Sequence, residues 1–172
     1  VYLDDLASGT TVYGNSFRAV TYGVIIGGGR DNTVENNVFA SCDRPVQVDG
    51  RGIGWAKANA APGGSWRMYE RLASVPYDRS PYRSRYRGLS TILRDDPALP
   101  KGNVIRRNIA ADKNWLAFND GVDSLGIVTV RDNIVTGDPG FGNPGAGDFR
   151  LLGKSRAAAS GFKPIPYERI GL

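Results

Sequence analysis

Residues 11–17 read TVYGNSF and residues 33–39 read TVENNVF. The two stretches share Thr-Val-x-x-Asn-x-Phe at a spacing of 22 residues, so Thr11, Val12, Asn15 and Phe17 fall on Thr33, Val34, Asn37 and Phe39. On the same ruler Val24 and Gly28 fall on Val46 and Gly50. The core returns with apolar replacements as VIRRNIA at 104–110 and TVRDNIV at 129–135. A fixed period of this size means a stacked, all-β solenoid in which each coil buries its apolar face against its neighbours. Positions one period apart become neighbours in space.

The period divides into two strand types. Residues 11–17 and 33–39 are the first; 23–27 (GVIIG) and 45–49 (PVQVD) are the second. Gly, Asn and Asp fill the corners, where turns need unusual backbone angles. Parallel strands of successive coils should then lie about 4.8 Å apart. Asn15, Asn37, Asn108 and Asn133 form one column. An amide in such a column donates to one neighbour and accepts from the other, which offsets the cost of burying it. An asparagine ladder is therefore expected.

Asn37 and Asn108 stand 71 residues apart, which is one period plus 49. The surplus reads as a helical insertion at about 51–101. Residues 65–75 place Trp66, Tyr69 and Leu72 at helical spacing behind a Ser65 cap. Residues 84–96 do the same with Tyr86, Leu89, Ile92 and Leu93, and Pro97 stops them. The stretch 148–172 reads as a C-terminal cap. It opens with a strand at 148–152 and closes with a proline-containing tail across the last coil, covering an edge that would otherwise recruit another strand. The N-terminal end shows no such cap. The whole, 1–172, is one domain and reads as the C-terminal portion of a longer solenoid.

The chain has no histidine and a single cysteine, Cys42. Ser-His-Asp chemistry and an internal disulfide are thereby excluded, and a transition-metal site is disfavoured. Cys42 falls on the apolar Val20 position and reads as a buried, inert thiol. No apolar run is long enough to span a membrane. Acid–base work must fall on Asp, Glu, Lys, Arg or Tyr.

Net charge is +5, and its distribution is uneven. Residues 51–101 hold ten Lys or Arg against four acids, or +6, which leaves −1 for the rest. This basic segment reads either as a solvated face or as a wall attracting an anionic ligand. No nucleic-acid motif accompanies it. An acidic or sulfated sugar fits better, with Trp55, Trp66, Tyr77 and Tyr82 stacking on rings and Arg51 among the arginines holding anionic groups. Arg30 and Asp31, in the GGGRDN corner at 27–32, are further candidates for substrate contact.

The same ruler aligns acids. Asp5, Gly27 and Asp49 are each 22 apart, and Asp120 stands twelve after Asn108, as Asp49 does after Asn37. Carboxylates stacked this closely repel, so one should keep its proton near neutral pH, as glycoside cleavage needs. Gly27 would leave a notch between Asp5 and Asp49. Two coils put these two about 9.6 Å apart, near the inverting range, whereas Asp49 and Asp120 fall near the retaining one. Asp4 and Asp5 can exchange roles, because the alignment sets Asp4 over the inward Ile26. The aspartates equally suit turns.

Tyr2-Leu3-Asp4-Asp5 with Ser8-Gly9-Thr10-Thr11-Val12-Tyr13-Gly14-Asn15 resembles the second half of bacterial right-handed parallel β-helix proteins. So do Gly28-Gly29-Arg30-Asp31-Asn32 with Glu35-Asn36-Asn37, and Gly161-Phe162-Lys163-Pro164-Ile165-Pro166 with Ile170-Gly171-Leu172. These belong to the pectin-lyase-like superfamily, and the chain is similar to glycoside hydrolase family 141. The resemblance implies a secreted or periplasmic carbohydrate-active enzyme, with the Asp of the Asp4-Asp5 pair and Asp49 as its acid and base or nucleophile. It also implies N-terminal coils of the same protein as a partner, and a polysaccharide or oligosaccharide substrate. No cofactor is expected of a hydrolase. The alternatives are a non-catalytic glycan-binding or scaffold β-helix, or a polysaccharide lyase using Arg or Lys with Ca²⁺ held by the aspartates.

Overall fold

The computed structural model describes residues 1–110, 114–153 and 155–170. It is predominantly β, with stacked parallel sheets and a few short helices. One sheet holds β1 (Tyr2–Leu3), β4 (Tyr22–Gly27), β7 (Arg44–Asp49) and β10 (Leu116–Phe118), in that order. A second runs β11 (Thr129–Arg131), β8 (Val104–Arg106), β5 (Thr33–Glu35), β2 (Thr11–Tyr13). A third runs β3 (Ser16–Arg18), β6 (Val38–Ala40), β9 (Ile109–Ala110).

The spacing of 22 is visible as register. Thr11 pairs with Thr33, Val12 with Val34, Phe17 with Phe39 and Val24 with Val46. Val12, Val24, Val34, Val46, Ile26, Val48 and Ile105 are buried between the sheets, and Phe17 stacks on Phe39 with centroids 4.9 Å apart. Each such aliphatic side chain contributes about 1.5–3 kcal/mol. The stretches 11–17 and 33–39 are not single strands. Each breaks at a corner whose residue, Gly14 or Asn36, lies in the left-handed region (φ 71° and 60°). Arg107 and Asp132 hold that place in the later repeats, at φ 52° and 57°. The ladder asparagine follows the corner each time.

That ladder forms. Asn37 Oδ1 accepts from the backbone and side-chain nitrogens of Asn15, Asn108 Oδ1 from those of Asn37, and Asn133 Oδ1 from those of Asn108. Asn37 and Asn108 are fully buried. A second ladder stands beside it. Asn32 Oδ1 accepts from Thr10 N, Asn103 Oδ1 accepts from Asn32 N, and both amides donate to carbonyls of the repeat before.

Between β7 and β8 lie α1 (Lys57–Ala60), α2 (Met68–Ala73), α3 (Tyr82–Arg85) and a 3₁₀ turn at Leu89–Arg94. These are shorter than the spacing predicts. Ser65 caps nothing: α2 is entered through a left-handed Arg67. The second expected helix is broken into α3 and the 3₁₀ turn, which ends before Pro97.

The C-terminal region also differs from expectation. β13 (Asp148–Leu151) does not join the stack but pairs antiparallel with β12 (Phe141–Asn143). Phe149, Ala157, Phe162 and Ile165 pack on Val38, Ile109 and Ile134, the outward face of the third sheet. Asn36 exchanges two hydrogen bonds with Lys163, Arg18 donates to the Gly145 carbonyl, and Ser16 meets the Tyr167 hydroxyl. The tail therefore runs along the stack from the last repeat to the first. Gly171 and Leu172 of the closing stretch lie outside the described residues. No helix among the described residues is long and apolar enough to cross a membrane.

Candidate functional site

The aspartates gather, but not in the column the ruler draws. Gly27 pairs with Asp49 as expected. In the first repeat, however, Leu3 pairs with Ile26, an offset of 23, so Asp4 rather than Asp5 continues toward Gly27. An extra residue is absorbed just afterwards, where Asp5 and Leu6 both take left-handed conformations (φ 38° and 63°). This removes the conflict of Asp4 lying over Ile26. On the other side Val48 pairs with Phe118, so Asn119 adjoins Asp49, and its backbone N–H donates to the Val48 carbonyl. Asp120 falls one residue further, in a left-handed turn with Gly121, against Gly50 and Gly54.

The notch at Gly27 is filled. A Cβ there would lie 2.7 Å from the Arg51 guanidinium carbon, and one at Gly28 would lie 2.8 Å from Arg51 Cγ. Arg51 is 3% exposed and collects the acids around it. Its guanidinium donates to Asp4 Oδ1 at 2.5 Å, Asp5 Oδ1 at 2.7 Å, Asp49 Oδ2 at 3.1 Å and the Tyr2 hydroxyl at 2.6 Å. Its backbone N–H donates to Asp49 Oδ1 at 2.7 Å. The rings of Tyr2 and Trp55 lie 5.5 and 5.6 Å from the guanidinium carbon, within cation–π range.

This changes the electrostatics from those of bare stacked acids. Burial disfavours the Arg51 charge, but hydrogen bonds to Asp49, Tyr2, Asp5 and Asp4 outweigh it and raise its pKa. Asp4 is held below the usual carboxylate range, chiefly by the Arg51 hydrogen bond and then by Tyr2. The shared Arg51 cation relieves the mutual repulsion of the carboxylates it bonds. The same guanidinium stands where a calcium ion bound by these three aspartates would have to sit, so they do not fit that ion as arranged.

Arg30 and Asp31 belong to a second cluster. Arg30 is buried; it donates to Asp31 Oδ2 at 2.9 Å, Asp95 Oδ2 at 2.5 Å and the Asp95 carbonyl at 2.7 Å. Lys101 donates to Asp95 Oδ1 at 2.5 Å. This clamp ties the helical segment to the stack. Lys101 and Arg30 hold the Asp95 carboxyl down at about 2, from an ordinary 3.8. A depressed carboxyl stabilises the fold above its unfolded pKa and loses that contribution as pH falls through its folded one. Asp95→Asn should therefore lower the denaturant midpoint at neutral pH, and the gap to the parent should close between 3.8 and about 2. A gap unchanged across that window counts against the clamp.

Two grooves flank Arg30. The first, about 500 Å³, is lined by Asp5, Ser8, Arg30, Trp66, Tyr69 and Arg71, among others. The second, about 540 Å³, includes Ser8, Arg30, Asp31, Tyr82, Tyr86 and Arg87. Trp55, 66% exposed, meets Trp66 edge-on at 5.9 Å and so links the Arg51 cluster to the first groove. Tyr77 lines neither groove. The structure thus joins Asp4, Asp5, Asp49, Arg51, Trp55 and Trp66 into one neighbourhood, and Arg30, Asp31 and Tyr82 into the adjoining one. Tyr2, Asp95 and Lys101 were not singled out from the sequence. Asp95 carried one signal: with Asp96 it is the only adjacent pair of acids in a basic segment.

No family model, curated protein or solved structure matches this chain.

Proposed function

We propose that the chain is a carbohydrate-active right-handed parallel β-helix protein, similar to glycoside hydrolase family 141, with residues 51–101 inserted over its coils. It acts on a polysaccharide or its fragments as a glycoside hydrolase, outside the cytoplasm. The observation that carries this is the first groove, a space of about 500 Å³ whose lining includes Asp5, Trp66 and Tyr69. Aromatic walls beside a carboxylate suit a sugar ring presented to an acid–base residue.

The roles divide by environment. Asp4 is held low by Arg51, which suits a task that begins from an anion: activating water, or attacking the anomeric carbon. Cleavage also needs a carboxyl that gives up a proton. Asp120, beside Gly50 and Gly54 and outside both grooves, is the one aspartate of the four that Arg51 does not engage, and it is assigned that role on this ground alone. Asp49, 8% exposed and bonded to Arg51 through backbone and side chain, positions that guanidinium.

A second reading rests on one observation: three of the four aspartates already share a cation. The groove would then bind glycan without cutting it. Asp5→Asn and Asp120→Asn separate the two. Under the hydrolase reading each lowers reducing-sugar release at least about 100-fold, the scale of a lost general acid or base. Full activity in both variants removes these roles, and glycan binding without release by the parent selects the second reading.

A further inference from the structure

We infer that the sugar chain taken by these grooves is a polyanion, its carboxylate or sulfate groups met by Arg71 in the first groove and Arg87 in the second. The inference rests on the carbohydrate reading above and adds the charge of the ligand. Outside the helical segment several arginines have partners of opposite charge, while Arg18, Arg44 and Arg156 donate to uncharged groups. Arg106 and Arg107 share Glu35, Arg131 pairs with Asp132 and Arg150 with Asp148. In the helical segment the arginines without such partners are clustered. Among the described residues, Arg71, Arg79, Arg83, Arg85, Arg87 and Arg94 make no ion pair or side-chain hydrogen bond. All six are exposed.

Clustered like charges repel and weaken the fold that holds them together, so a cluster without internal partners is arranged for something outside. Its placement says what. The two grooves share Ser8, Arg30 and Ile92, so they form one path that passes over Arg30. Arg30 is itself occupied by Asp31 and Asp95. Arg71 and Arg87 are the uncommitted cations on either side of it. Each guanidinium can take a carboxylate or sulfate through paired N–H donors. Tyr69 lines the first groove and Tyr82 and Tyr86 the second, beside these cations. Cations and aromatic rings in one lining suit sugar rings bearing anionic groups.

The test is affinity electrophoresis of the folded chain through gels holding polygalacturonate, dextran sulfate, neutral dextran or poly(U) RNA. Arg71→Gln/Arg87→Gln is compared with Arg131→Gln/Arg169→Gln, which removes the same charge away from both grooves. Retardation by one or both acidic polysaccharides is expected, and which of them acts separates carboxylate from sulfate. The groove variant should lose about tenfold or more in affinity, the scale of two charge-assisted contacts, while the control variant keeps parental affinity. Equal losses in both variants, or no loss in either, overturn the inference. Equal retardation by neutral dextran overturns the charge assignment and leaves the carbohydrate reading standing. Retardation by RNA alone, or by nothing, removes both.

Discussion

Arg51→Met should destabilise the protein by about 3–5 kcal/mol, the range for removing one partner of a buried ion cluster. The guanidinium is almost fully buried and bonds three carboxylates at once. Methionine fills much of the volume beside Gly27 and Gly28, so the loss reports charge rather than packing. Without the cation the carboxylates repel, and the pKa of Asp4, which Arg51 holds low, moves upward. A raised carboxyl pKa stabilises the folded state as pH falls, so the deficit should shrink from pH 7 toward about pH 4. Urea unfolding at both pH values checks this. A midpoint equal to the parent's would mean that Arg51 does not hold the aspartates together. A second change, Asp49→Asn, should restore part of the loss in Arg51→Met, because it removes one of the stranded charges.

Asn37→Ala should cost at least about 3 kcal/mol, because its Oδ1 accepts two hydrogen bonds and its two N–H groups are shared among three acceptors, each full bond being worth about 1 kcal/mol net. The amide is fully buried, and no water can take over its partners. Asn15, at the exposed end of the same column, gives a clean comparison. Its side chain donates only to the Tyr13 carbonyl and to Asn37 Oδ1. Asn15→Ala should therefore cost about 1 kcal/mol. Denaturant unfolding of the two variants ranks them directly. Equal losses would mean that the ladder is a geometric coincidence and not a source of stability.

The stacked sheets were legible because side-chain identity tracks register wherever a strand faces the core. Thr-Val-x-x-Asn-x-Phe repeats because Val, Asn and Phe each meet their own kind in the next repeat. The second ladder was legible too, and was missed. Asn32 and Asn103 each stand five residues before a ladder asparagine, Asn37 and Asn108, at the same separation of 71. The column of aspartates could not be drawn correctly, because corners add or drop a residue without a compositional mark. Asp5 and Leu6 absorb one extra residue in left-handed conformations, and a side of the third repeat is one residue shorter. A shift of one residue replaced Asp120 by Asn119 beside Asp49. Arg51 was expected to touch a ligand. Its role in neutralising aspartates 46 and 47 positions earlier depends on Gly27 and Gly28 leaving room for it, which only the folded chain displays.

The tail has a mechanical consequence. Repeats that touch only their neighbours can peel away one at a time from an end, so that melting spreads along the stack as a series of steps. Here residues 145–167 are fastened to Ser16 and Arg18 at one extreme, to Asn36 in the middle and to Ile134 at the other. A strand of the first repeat cannot fray without tearing a segment that also grips the fourth. Like a seam sewn down the side of a pile of plates, the tail makes local loosening as costly as general collapse, and heating should open the stack in a single event.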